Sequence, residues 1–115
     1  LSDKTIEQIQ ADPLQALAEF YHDFGIAVLL KSATTIFYDG ESFTFNISGN
    51  DGLSTGGSGD VLAGIIISFL AQKLAPKEAA TSASYLLGET AEKLAEIRST
   101  ASIIPSDIIE NLFVF

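Results

Sequence analysis

Apolar residues recur at helical spacing early in the chain. Leu14, Leu17, Tyr21 and Phe24 fall on one helix face, bracketed by Asp12-Pro13 ahead and Gly25 behind. Aspartate is a favoured N-cap, proline suits the first helical position, and glycine closes helices in a left-handed conformation. The pattern predicts a helix opening at Pro13 and closed by Gly25, with a shorter one before it around Thr5 to Gln10.

The period then changes. Ile26 to Leu30 is a continuous apolar run, as in a strand covered on both faces. Thr35 to Tyr38 and Phe43 to Asn46 flank Asp39-Gly40, which predicts a hairpin turn. Phe43, Phe45 and Ile47 alternate with Thr44, Asn46 and Ser48, so this ribbon is expected to bury one face. Helical spacing returns in an apolar segment from Asp60 to about Lys73. A further helix opens near Pro76 and carries Ala79, Ala80, Ala83, Leu87, Ala91, Leu94 and Ala95. Ser106 is the expected cap of a last helix holding Ile108, Ile109, Leu112 and Phe113. Read as a parallel strand, Ile26 to Leu30 has no neighbour within the chain, so it is expected either to pair with another chain or, the favoured reading, to belong to a larger sheet. No internal repeat or low-complexity linker interrupts the order.

Composition narrows the possibilities. The 115 residues, 47% hydrophobic and 18% charged, make one domain at most. A mean hydropathy of +0.32 leaves apolar faces for something besides this chain. The net charge is −9 with no basic cluster, which disfavours nucleic acid and anionic membrane as partners. A nucleotide stays open, because backbone amides hold phosphate without side-chain charge. The absence of cysteine removes disulfides and thiolate metal sites and fits a reducing cytoplasm. The apolar run Val61 to Ala71 is short against the roughly 20 residues needed to span a bilayer. No signal peptide shows at the start, and Leu1 in place of Met leads us to expect a fragment or processed product.

The chemistry concentrates in Ser54 to Gly64, STGGSGDVLAG. Glycines permit positive φ and let a ligand approach the backbone, and the first amides of a helix lack internal partners. With the helix dipole, Gly56, Gly57, Ser58 and Gly59 form a candidate anion hole. Asp60, in the first turn, is placed to accept a proton from a hydroxyl attacking phosphorus. The same residues also suit a plain helix cap, and their pattern alone leaves both readings open. No Lys-Ser/Thr follows the glycines, so this is not a P-loop, and the dinucleotide spacing from Gly57 fails at Leu62. Lys31, at the end of the apolar strand, reads either as solvated or as a phosphate contact. His22 has no ligand cluster around it and reads as a surface residue. Glu89, Glu92 and Glu96 read as a solvated helix face, and Tyr38, Phe43 and Phe45 as hairpin packing or, less simply, an oligomer surface.

The wider stretch Gly49 to Gly64, GNDGLSTGGSGDVLAG, resembles the ribokinase-like signature around the catalytic aspartate. More narrowly, it is similar to the ADP/ATP-dependent NAD(P)H-hydrate dehydratases. ADPLQALAEFYHDFGIAVLLKS, TTIFYDGESFTFNISGN, LAPKEAATSASYLLGETAEKLAE and Pro105 to Ile109 extend the likeness. Nearly the whole chain is covered, yet residues 1–115 match only the C-terminal portion of the family's domain. The resemblance implies an α/β fold of the ribokinase-like three-layer type, represented by a strand, a β-hairpin and several helices.

It also implies a hydro-lyase that uses ATP or ADP to remove water from the 6S hydrate of NADH or NADPH. The hydroxyl would be phosphorylated and then eliminated as phosphate. Carried over by motif, Lys31, Ser32, Ala33, Thr34, Thr35 and Gly59 would grip the adenine nucleotide, with Mg2+ arriving on it. Asp60 would face the hydrate as base, and Gly56, Gly57, Ser58 and Gly59 would line the anion hole. No dedicated metal box is visible, and a cytoplasmic homo-oligomer, a tetramer by resemblance, is implied. Three departures stand out: Ser32 replaces a usual glycine, Asp51 a usual proline, and Leu87-Gly88 a usual His-Gly. Two competing expectations are a small-molecule kinase acting on a sugar or vitamin precursor, and an inactive remnant that assembles with a partner.

Overall fold

Capping sets the first two helices. The structure is a computed structural model and describes residues 2–32, 34–49, 56–99 and 102–112. Helix α1 (Ile6–Ala11) opens with a reciprocal cap, in which Gln8 N donates to Thr5 Oγ1 (3.2 Å) and Thr5 N to Gln8 Oε1 (2.8 Å). Helix α2 (Pro13–Phe24) begins as its sequence predicts, with Asp12 Oδ1 accepting from Gln15 N at 3.2 Å. Gly25 closes it at φ +66° and donates to the Tyr21 carbonyl at 2.7 Å. Lys4 Nζ lies 2.7 Å from Glu19 Oε2, and Gln15 donates to Oε1 at 2.9 Å. Those two partners, Lys4 foremost, hold the exposed Glu19 carboxyl below the usual carboxylate range.

The chain divides into two compact units, residues 1–45 and residues 46–115. In the first, strands β1 (Val28–Leu30), β2 (Thr35–Tyr38) and β3 (Phe43–Asn46) form a sheet in the order β1-β2-β3. This corrects the expectation for the apolar run. Its strand is shorter, half-buried, and pairs antiparallel with β2 in the register Val28↔Tyr38, Leu29↔Phe37, Leu30↔Ile36. A short link permits that pairing, whereas a parallel pair needs a crossover of a dozen or more residues. Leu17, Ile36 and Phe37 form the buried centre where α2 packs on β1 and β2.

Asp39-Gly40 turns the chain between β2 and β3 as predicted. Asp39 Oδ1 accepts from the amides of Glu41 (2.9 Å) and Ser42 (3.0 Å). Gly40 sits at φ +91°, and a Cβ there would lie 2.7 Å from the Tyr21 hydroxyl. Tyr38 stacks on Phe43 with centroids 4.2 Å apart and meets Tyr21 edge-on at 5.6 Å. The expected burial stops there, because Phe45 and Ile47 are exposed. Helix α2 packs on β1 and β2, so the β3 end of the ribbon gains no comparable cover from it.

The second unit is helical. Helix α3 (Ser58–Ala71), α4 (Pro76–Ala95) and α5 (Pro105–Asn111) pack against one another around Leu62, Ile65, Leu87, Leu94, Ile103 and Ile108. The predicted small face of α4 is the buried one: Ala79, Ala80, Ala83 and Ala91 are at most 3% exposed. Its buried hydroxyls are satisfied within the helix, Ser84 donating to the Ala80 carbonyl (2.8 Å) and Thr90 to that of Leu86 (2.7 Å). The last helix starts two residues earlier than its expected cap allows. Pro105 takes the first position, Ile104 is the N-cap, and Asp107 Oδ2 accepts from Ile104 N at 2.9 Å. Ser106 is therefore inside the helix, because the third-position carboxylate already serves the end.

Candidate functional site

Helix α3 opens on glycine. Gly57 is its N-cap, with φ +98° and ψ −15°, so no side chain of its own can cap the free amides. A Cβ at Gly57 would also lie 3.2 Å from Pro105 Cγ. Both constraints require glycine. Gly57→Ala is expected to lower stability by about 1–2 kcal/mol, the cost of holding an L-residue in left-handed backbone, visible as a lower melting temperature. Ser58, at the first helical position, is 2% exposed, so the residue is shielded from solvent while Gly57 and Gly59 on either side are exposed. Gly59 follows with nothing within 4 Å of the space a Cβ would occupy. It leaves the helix end open to an approaching group.

Asp60 occupies the third helical position, one turn in from Gly57. Asp107 holds the same position in α5, and the two behave differently. The Asp107 carboxylate is used twice, by Ile104 N and by Arg98 NH1 at 3.2 Å. Among the described residues, the exposed Asp60 carboxylate has no hydrogen-bond or ion-pair partner. A carboxylate at an open helix start, unspent on capping, is available to take a proton.

In the first unit, the nucleotide candidates gather in the link between β1 and β2. Lys31 and Ser32 follow the strand end and are exposed. The Ser32 hydroxyl donates to the Thr34 carbonyl, which folds the link on itself, and Thr35 begins β2. Thus Lys31, Ser32, Thr34 and Thr35 form one local group, and Gly56 to Asp60 another, each within its own unit. Ala33, Asp51 and Thr55 lie outside the described residues. His22 is 88% exposed at its side chain beside Asp23, as its sequence context predicted. No group of three His, Cys, Asp or Glu suited to a metal ion lies among the described residues. No described helix is long and apolar enough to cross a membrane.

Residues 1–113 match the family described as NAD(P)H-hydrate dehydratase. The chain belongs to the NAD(P)H-hydrate dehydratase family. It is 40% identical over 99 residues to the ADP-dependent (S)-NAD(P)H-hydrate dehydratase of Neisseria meningitidis serogroup B, covering 85% of this chain and 33% of that protein. It is 32% identical over 107 residues to the bifunctional NAD(P)H-hydrate repair enzyme Nnr of Vibrio cholerae, covering 93% of this chain and 22% of that protein. Its fold matches the Bacillus subtilis ADP/ATP-dependent NAD(P)H-hydrate dehydratase, co-crystallized with ATP/Mg2+ and soaked with CoA, at a TM-score of 0.86 and 26% identity. That match covers 92% of this chain and 40% of the solved one. The chain therefore spans between about a fifth and two-fifths of the relatives named.

Two features of this dehydratase-family chain escaped the sequence pattern. Gly88 is buried where α4 meets Ser48, and Glu92, exposed as its sequence reading expected, also accepts from Gly49 N at 2.6 Å. An isolated glycine within a helical pattern was a usable signal for the first, since it usually marks close packing. Nothing in the local pattern around Glu92 distinguishes it from its neighbours Glu89 and Glu96.

Proposed function

We propose that the protein carrying this chain uses ATP or ADP to dehydrate the 6S hydrate of NADH or NADPH. Family membership supports the reaction class, and the unpartnered Asp60 carboxylate at the glycine-capped start of α3 is the observation that carries the mechanism. Asp60 takes the proton of the hydrate hydroxyl as its oxygen attacks the terminal phosphorus of the nucleotide. The bond from phosphorus to the bridging oxygen breaks, and ADP departs when ATP is used, or AMP when ADP is used. The carbon–oxygen bond of the new phosphate ester then breaks, and inorganic phosphate leaves with the bond pair. Loss of a proton from the neighbouring carbon restores the ring double bond.

The chain's own contribution is placement and charge. The backbone around Gly57 and Gly59 at the positive end of the α3 dipole stabilises negative charge developing on the transferred group, with Ser58 between them. Gly56 completes the turn ahead of them. Lys31, Ser32, Thr34 and Thr35, with Ala33 by resemblance, hold the adenine nucleotide. Mg2+ supplies charge neutralisation on the phosphates when it arrives with the nucleotide, and the described residues provide no separate box for it. A cytoplasmic location and a tetrameric assembly complete the reading.

The deciding experiment incubates the expressed protein with ATP or ADP and hydrated NADH while the absorbance of NADH is followed. Return of that absorbance, dependent on nucleotide, is the expected result, and no recovery sinks the reading. Accumulation of a stable phosphorylated alcohol with no NADH points to a small-molecule kinase instead.

A further inference from the structure

We infer that Glu92 is a positioning residue for this site, holding the backbone at Gly49 from which the chain runs into the glycine-rich start of α3; the inference rests on the function proposed above. The carboxylate Oε1 of Glu92 accepts from Gly49 N at 2.6 Å, across 43 positions of sequence. A carboxylate acceptor makes this bond shorter and stronger than one between neutral groups. One helical turn earlier, Gly88 receives the backbone of Ser48 so closely that a Cβ there would lie 2.7 Å from the Ser48 carbonyl carbon. Consecutive turns of α4 therefore grip consecutive residues, Gly88 by its missing side chain and Glu92 by a hydrogen bond.

The gripped residues need an outside hold. Gly49 sits at φ +112°, a conformation glycine adopts readily but also leaves readily. Ser48 adds a local bond, its Oγ donating to Asn46 Oδ1 at 2.9 Å. Seven residues further on, the chain reaches Gly56 and Gly57, and Gly57 abuts Pro105. Glycine-rich backbone supplies no stiffness of its own, so the precision of the anion hole depends on its anchors. A misplacement of about 1 Å at such a site can cost about 100-fold in rate. The role of Glu92 runs through the Gly49 amide.

The test uses the protein as expressed from its gene, with Glu92→Ala and Glu92→Gln, since the glutamine amide oxygen still accepts from Gly49 N. In the hydrate assay, Glu92→Ala is expected to lower kcat by about 10- to 100-fold with little change in KM for the hydrate, and Glu92→Gln to recover most of it. Amide hydrogen exchange, which needs no turnover, is expected to accelerate at residues 49–60 in the alanine variant and not in the glutamine variant. Wild-type kcat in Glu92→Ala overturns the inference. So does unchanged exchange at residues 49–60, including the case of a kcat loss matched by global unfolding. Should the wild-type protein show no dehydration at all, the proposed function fails, and the exchange pattern alone decides for or against the Glu92 anchor.

Discussion

Asp60→Asn is expected to lower turnover of the NAD(P)H hydrate by about 10²- to 10⁴-fold, the range a positioned general base contributes. Asparagine keeps the size of the side chain and loses only the capacity to take the proton. The amides at the start of α3 are backbone groups and stay in place. Nucleotide affinity, measured by calorimetry, should therefore hold or rise, because a negative charge beside the phosphates has been removed. Loss of the favourable carboxylate–dipole interaction costs the fold about 0.3–1 kcal/mol, so melting changes little. The two measurements separate chemistry from folding. Retained turnover would remove Asp60 from the role of base and leave it a dipole partner like Asp107.

Gly88→Ala is expected to destabilise the fold. Two effects oppose each other. Alanine in a helix interior gains about 1 kcal/mol over glycine by propensity. Against that, its Cβ would lie 2.7 Å from both the carbonyl carbon and the Cβ of Ser48. The carbonyl carbon is backbone, so no rotamer change relieves the contact, and overpacking of this kind costs about 1–3 kcal/mol or more. Backbone atoms must shift, so strain is expected to win, with a net loss of up to about 2 kcal/mol and a lower melting temperature. Because the displaced residues are Ser48 and Gly49, hydrogen exchange at Gly49 should accelerate as well. A melting temperature equal to or above wild type would show that α4 and the Ser48 backbone separate more easily than their contact implies.

Local signals carried much of the architecture. Asp12, Pro13 and Gly25 bound α2 where expected, because a cap is decided by a few adjacent residues. Asp39-Gly40 makes its turn for the same reason. The helix after the glycine run starts at Ser58 rather than Asp60, which places Asp60 at the third helical position, within the first turn. Failures came where an outcome depended on distant chain. An apolar run such as Ile26 to Leu30 reads the same whether its partner is parallel or antiparallel, and the partner proved to be β2. Phe45 and Ile47 follow an alternating pattern that states which face is apolar, not whether anything covers it.

By itself, then, the sequence determined the element types, the caps of α2, the turn, and the unusual run that ties the chain to its family, while the cap of α5 fell at Ile104 rather than Ser106. These depend on interactions within a few residues, where backbone preference and hydrogen-bond geometry leave little freedom. Tertiary structure alone decided that Glu92 is bonded to Gly49, that Gly88 admits the Ser48 backbone, and that Pro105 closes on Gly57. Each joins residues that are dozens of positions apart, and no local period encodes which surfaces packing will bring together.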